Sequence, residues 1–247
     1  MKITKFKKTK SNIYEIILED NSKYSLYDEV ILKSNILFTK EITIEELNRL
    51  INDNNYYELY YNCLKFLKSK MRSEKEIREK FKSYSKNDLD KVIAVLKKNQ
   101  YINELDYIKA YINDCINLKV IGPNKIRRDL ITLGLKETDI NDYLNSFPND
   151  IWKEKITKLI IKEVNNNHRY NQIQLKQRIM NNLVNKGFYK EDINDCLESV
   201  SISIPEGLYE KEYSKLEKKL SRKYNGEELK QEIKKRLRAK GFKEIVD

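Results

Sequence analysis

The sequence predicts a mainly α protein: tandem three-helix repeats in an elongated curved array, with a small N-terminal β-hairpin or β-ribbon. Three observations carry that prediction. A motif recurs: Leu130, Gly134, Ile140, Asp142 and Leu144 reappear 53 residues later as Leu183, Gly187, Ile193, Asp195 and Leu197, and Gly241 follows Gly187 by 54. A period near fifty residues is the mark of a repeat architecture. Within a copy, Ile126, Leu130 and Leu133 stand at i, i+4 and i+7, one apolar helical stripe. Gly134 then ends it, as a glycine does when a helix must close in a left-handed conformation. Finally, residues 1–40 alternate in pattern and the remainder does not.

Taken in order, Tyr14, Ile16 and Leu18 alternate with Ile13, Glu15, Ile17 and Glu19, and Tyr24 and Leu26 follow a polar Asp20-Asn21-Ser22 turn. That is a hairpin, with a third strand expected from Ile3 to Lys8. Five lysines before Ser11 give a basic edge that either discourages edge-to-edge pairing, the favoured reading, or touches nucleic acid. Thr43 and Glu46 form a capping box, with Ile42 and Leu47 as its hydrophobic staple. The polar run Asn52 to Asn55 is expected to interrupt this helix, and a second begins at Tyr56, with Tyr60, Leu64 and Leu67 aligned. Ser73 and Glu76 form another capping box and open the first copy of the repeat. Its Ile77 and Phe81 keep the spacing of Ile126 and Leu130, but this copy lacks the glycine. Ser85 starts the next helix, and Asn103 caps one whose first turn carries Glu104 and Asp106. Gly122-Pro123 restarts the chain, since proline is tolerated in a first turn. Trp152, Ile156, Leu159 and Ile160 form a core face of the third copy, and His168 sits in a polar connector. Ser201 to Pro205 is read as the linker to the last unit, where Tyr209, Tyr213, Leu216 and Leu220 repeat the stripe. Asp247 lies six residues after Gly241, so that unit is expected to lack its closing helix. The corresponding segments are 1–55 (ribbon plus helix), 56–99, 100–148, 149–204 and 205–247.

Composition narrows the function. Charged residues make up 35% of the chain and apolar runs are short, far from the ~18 residues of a membrane span. The N-terminus MKITKFKKTK has no apolar signal block, so the cytoplasm is the expected compartment. Cys63, Cys115 and Cys196 fall within helical patterns and read as reduced core thiols. No phosphate-binding glycine loop, nucleophile elbow, paired histidines or Cys-x-x-Cys is present, so neither catalysis nor a cofactor or metal is expected. Asp139, Asp142, Asp192 and Asp195 recur near helix starts, where capping and the helix dipole account for them. A net charge of +11 is concentrated at +7 over residues 65–98 and +5 over 209–247, two basic surfaces suited to phosphates or an acidic protein.

The Arg72-Ser73 helix start with Glu76, the Tyr101-Ile102-Asn103 connector, Tyr107, and G-P-x-K-I-x-x-D-L (122–130) leading to Leu133-Gly134-Leu135 resemble the signature of the RecX family, regulators of the RecA recombinase. The resemblance covers about residues 57–247, and the ribbon is similar to the extra segment of longer members. Gln100 departs from it, standing where the family tends to have glycine, as does Ile108, where alanine is common. The resemblance implies an array lying along the RecA–DNA filament that limits its growth or promotes its disassembly, with a monomer expected. Contacts to RecA or to DNA phosphate are expected from Arg72, Lys75, Arg78, Lys82, Lys125, Arg127, Arg128, Arg178, Lys234, Lys235, Arg236 and Arg238. The other reading is a direct binder of single- or double-stranded DNA through phosphate contacts. No helix N-terminus carries the Asn, Gln and Arg cluster that base reading requires.

Overall fold

The computed structural model describes residues 1–10, 12–202 and 206–242; the Ser203–Pro205 part of the linker and the chain beyond Phe242 lie outside the described residues. It is 66% helical, with thirteen helices and one three-stranded antiparallel sheet among the described residues. Two compact units divide the chain. The first holds Met1–Tyr107 with Leu133–Leu135, the second Ile108–Thr132 and the chain from Lys136 onward.

In the first unit, strands β1 (Ile3–Lys10), β2 (Ile13–Leu18) and β3 (Lys23–Tyr27) pair in sequence order. Ile3 faces Leu18 and Tyr14 faces Leu26, and the lysines of β1 lie on the sheet's edge strand. A ribbon of this size needs an apolar neighbour. It finds one in α1 (Asp28–Lys33), α2 (Ile36–Thr39) and the start of α3 (Ile44–Ser69). Ile16, Leu18, Leu26, Val30, Ile36, Leu47 and Leu50 make that core.

Helix α3 corrects the expected interruption at Asn52–Asn55, because it runs unbroken for 26 residues. The reason is tertiary: the Asn54 carboxamide accepts from Tyr27 N at 2.8 Å and donates to Ser25 O at 3.2 Å, tying the helix to β3. Asn54 therefore serves a neighbour instead of ending the helix. The two short helices α1 and α2 had no periodic signal and were not expected. Both capping boxes, at Thr43 and Ser73, form with side chain and backbone bonds in both directions.

The second half of α3 continues into the first repeat, with α4 (Glu74–Lys80) and α5 (Lys86–Lys98). Leu59, Cys63, Ile77, Val92 and Leu96 form its core. Then follow α6 (Glu104–Leu118), α7 (Pro123–Thr132) and α8 (Glu137–Asn145); α9 (Asp150–Asn165), α10 (Gln172–Asn185) and α11 (Lys190–Ser199); and α12 (Leu208–Leu220) with α13 (Gly226–Ala239). The repeated apolar positions all point inward: Ile77, Ile126, Ile179 and Ile233 are at most 1% exposed. Trp152 is buried, as are all three cysteines, which are free. Burial pushes the Cys63 thiol up to about 12.

Candidate partner-binding surface

The glycines at the ends of α7, α10 and α13 do more than stop a helix. Gly134, Gly187 and Gly241 have φ of +83°, +89° and +90°, the left-handed region that a side chain disfavours. Each also faces the first turn of the corresponding helix one repeat earlier. Gly134 lies against Lys75 in α4, where a Cβ would stand 3.6 Å from the Lys75 Cβ. Gly187 lies against α7, where a Cβ would come 2.4 Å from Lys125 N, and Gly241 against Ile173 in α10. The middle joint is the tightest. Gly122 N donates to Lys186 O at 2.8 Å and Asn124 N to Gly187 O at 3.0 Å, so two backbones meet with nothing between them. A Cβ on Gly122 would collide with Phe188 N at 2.4 Å. At the last joint, buried Asn171 caps α10 by accepting from Gln174 N and donates to Lys240 O at 2.5 Å.

The basic residues around these joints differ in exposure. Some are partly covered by the groups they bond. The Arg72 guanidinium lies 4.0 Å from the Phe66 ring centroid and reaches Glu76 at 3.3 Å and Ser69 at 3.3 Å. Glu76 also accepts from Ser73 N and Tyr107 Oη. Burial works against the Glu76 charge, but the Ser73 N–H and Arg72 outweigh it and hold the carboxyl below its ordinary value. Burial, with the Glu76 charge beside it, pushes Tyr107 up to about 12. Arg78 is bound at 2.6 Å by both Glu74 and Asp90, and Lys97 links Glu74 to Glu104. Arg127 donates to Asn141 at 2.6 Å, Asn124 at 2.8 Å and Tyr189 at 3.2 Å, fastening α7 to the turn before α11. Lys125 pairs loosely with Asp129 and Arg236 with Glu232.

Others face solvent. Lys75 and Lys82 are exposed on the first repeat, and Arg128 is exposed with only a 3.3 Å bond to Asn124 O. Arg178 lies 5.2 Å from the Tyr170 ring centroid, and Lys234, Lys235 and Arg238 are exposed on α13. Arg127 and Arg128, adjacent in sequence and alike in charge, therefore do different things: one holds repeats together and the other offers charge. Lys155 was not anticipated. Its ammonium donates to Cys115 O and Lys119 O, closing the carbonyl end of α6, and burial lowers its affinity for the proton. Among the described residues no cluster of His, Cys, Asp or Glu could hold a metal, and no helix is long and apolar enough to cross a membrane.

No family model matches the chain. Comparison with individual proteins is informative. The Regulatory protein RecX of Listeria monocytogenes serotype 4a (strain HCC23) is 27% identical, across 77% of this chain and 72% of its own. The Regulatory protein RecX of Lactococcus lactis subsp. cremoris (strain MG1363) is 28% identical, across 98% of this chain and 93% of its own. A crystal structure of regulatory protein RecX superposes with a TM-score of 0.68 at 22% identity, matching 80% of this chain and all of that one. These similarities support assigning the chain to the RecX family. Its relatives' names support a regulatory protein of that family, and the α4-to-α7 stretch, Arg72-Ser73 through Gly134, carries the residues that resemble it. Gln100 has φ +60°, in the left-handed region that favours glycine.

Proposed function

We propose that the chain binds the RecA–DNA filament and restrains recombinase activity. One observation carries this reading: a glycine in the left-handed conformation recurs at three successive repeat boundaries, each against the first turn of the corresponding helix one repeat earlier, and at the middle one two backbones are hydrogen-bonded directly. A solenoid of fixed step presents the same contact at regular intervals. A helical polymer presents the same target at regular intervals, so weak individual contacts add through effective concentration.

In this reading, segments 56–99, 100–148, 149–204 and 205–247 each supply one step. The exposed cations Lys75, Lys82, Arg128, Arg178 and those of α13 meet acidic recombinase surface and nearby DNA phosphate. Arg72, Arg78 and Arg127 act on the partner indirectly, by holding the elements that present the others.

The test is binding to bare DNA and to a RecA–DNA filament across a salt series, followed by RecA ATPase and strand exchange with the purified chain. The expected result is preference for the filament, persistence at salt that abolishes binding to bare DNA, and reduced ATPase and exchange. Equal affinity and equal salt slope for the two targets would overturn it.

A further inference from the structure

A cavity of about 590 Å³ opens between the connector before α10, one face of α12, and the turn that ends α13. Its lining is strongly basic: Arg169, Lys211, Lys215 and Lys240, with His168 at the same wall. A single acid, Glu212, lies among them, and it is already spoken for. It accepts from Lys215 at 2.5 Å and from Lys240 at 2.9 Å, and those two bonds hold its carboxyl below the ordinary range. Arg169 and Lys211 are exposed and make no ion pair among the described residues. The cavity therefore carries an excess of positive charge that the fold does not neutralise.

This arrangement is built before any ligand arrives. Asn167 accepts from Arg169 N at 3.2 Å and Tyr170 N at 2.9 Å and donates to Tyr170 O at 2.7 Å, closing the connector into a rigid turn that presents His168 and Arg169. One residue on, the Asn171 bond to Lys240 O fixes that turn to the end of α13, so the two basic walls keep their spacing. Tyr170 lines the cavity with Arg178 against its ring, so a flat, polarised surface borders the charged floor. A smaller hollow beside α9 and α10, of about 170 Å³, is lined by Val120, Leu159, Ile179, Asn182 and Leu183 with Lys162, Lys186 and Glu163, so it carries two lysines against one acid where the larger cavity sets four cations against one.

We propose that this cavity binds the phosphodiester backbone of a single nucleic-acid strand. Its volume suits roughly one or two nucleotides, within the range of ~300–1,000 Å³ typical of binding clefts. A concave basic channel with a ring at its border is how strands are held without base reading, phosphates on the cations and bases free to stack. A duplex, stiff and convex, offers the cavity a ridge of phosphate and no base to stack.

The test uses the full chain and no recombinase, so its failure leaves the filament reading untouched and the converse also holds. Fluorescence anisotropy is read with a labelled oligodeoxythymidine, and with a duplex of equal length, over a salt series. The wild-type chain is expected to bind the strand more tightly than the duplex. Arg169→Glu with Lys211→Glu should weaken strand binding tenfold or more and lower the slope of log affinity against log salt by about 1.4, roughly 0.7 for each lost strand contact. Lys7→Glu with Lys10→Glu, the same change of net charge on the exposed edge of β1, should change affinity less than threefold. No strand binding by the wild type, equal losses from the two double variants, or tighter duplex binding would each overturn the proposal.

Discussion

The first repeat and the third hold the same helix in place by different means. In the first, α4 is fixed by charge: a Ser73–Glu76 capping box, Arg72 over Phe66, and the Arg78–Glu74–Lys97 chain of ion pairs. In the third, α10 is fixed by close backbone approach, its glycine turn seated on α7 with two interhelical hydrogen bonds. The difference explains why the first copy lacks its glycine. The glycine turn seats on the preceding repeat, and the first copy has no earlier repeat to seat on. Selection for a left-handed helix end alone would have applied equally to both.

Substitutions can break this comparison, starting with the largest expected effect. Gly187→Ala forces a Cβ to within 2.4 Å of Lys125 N and also strains a φ of +89°, so unfolding in urea should show a loss of about 3 kcal/mol. Gly134→Ala meets only ordinary contact at 3.6 Å and should lose about 1 kcal/mol from its backbone conformation alone. Equal losses at the two sites would mean that the joint adds nothing beyond ending a helix. Next, Arg127→Ala removes three hydrogen bonds, two of them to other elements, and should cost about 1–3 kcal/mol, whereas Arg128→Ala on the exposed face should stay within about 0.5 kcal/mol. If Arg128→Ala proves as damaging as Arg127→Ala, the division into holding and offering arginines fails.

On the charge-held side, Ser73→Ala removes a buried cap and should lower stability by about 1 kcal/mol. The same region should respond to acid. The Glu76 carboxyl titrates below its ordinary value of 4.5 in the folded chain, so the stability it contributes is complete above that pH and is lost as pH falls through the folded value. Denaturant midpoints measured across that window should fall more steeply for the wild type than for Glu76→Gln; parallel curves would place the acid sensitivity elsewhere. The smallest effect is a gain. Gln100→Gly relieves a φ of +60° and should raise stability by up to about 1 kcal/mol, read as a small upward shift in melting temperature.

Much of this fold was legible because its signals are local. The caps at Thr43, Ser73 and Asn103 each depend on a hydrogen bond reaching two or three residues along the chain. The apolar stripes depend only on helical period, and so Ile77, Ile126, Ile179 and Ile233 could be placed in cores from spacing alone. The misreading of Asn52–Asn55 has the opposite cause. Asparagines favour turns when their side chains have only local partners, and Asn54 has a strand 27 residues away. Candidate binding residues suffered most, because charge is read from composition while its use is decided by neighbours. Arg169 and Lys211 went unremarked for the same reason: neither stands in a basic run that the sequence displays.

What the sequence determined by itself, then, is the mainly helical class, the capping boxes and the inward apolar faces, since each rests on dihedral preference or periodicity within a few turns. Tertiary structure alone decided which glycines are irreplaceable and which arginines remain available. Both depend on atoms far apart in the chain, such as Arg127 and Tyr189, 62 residues distant, whose meeting no local pattern encodes.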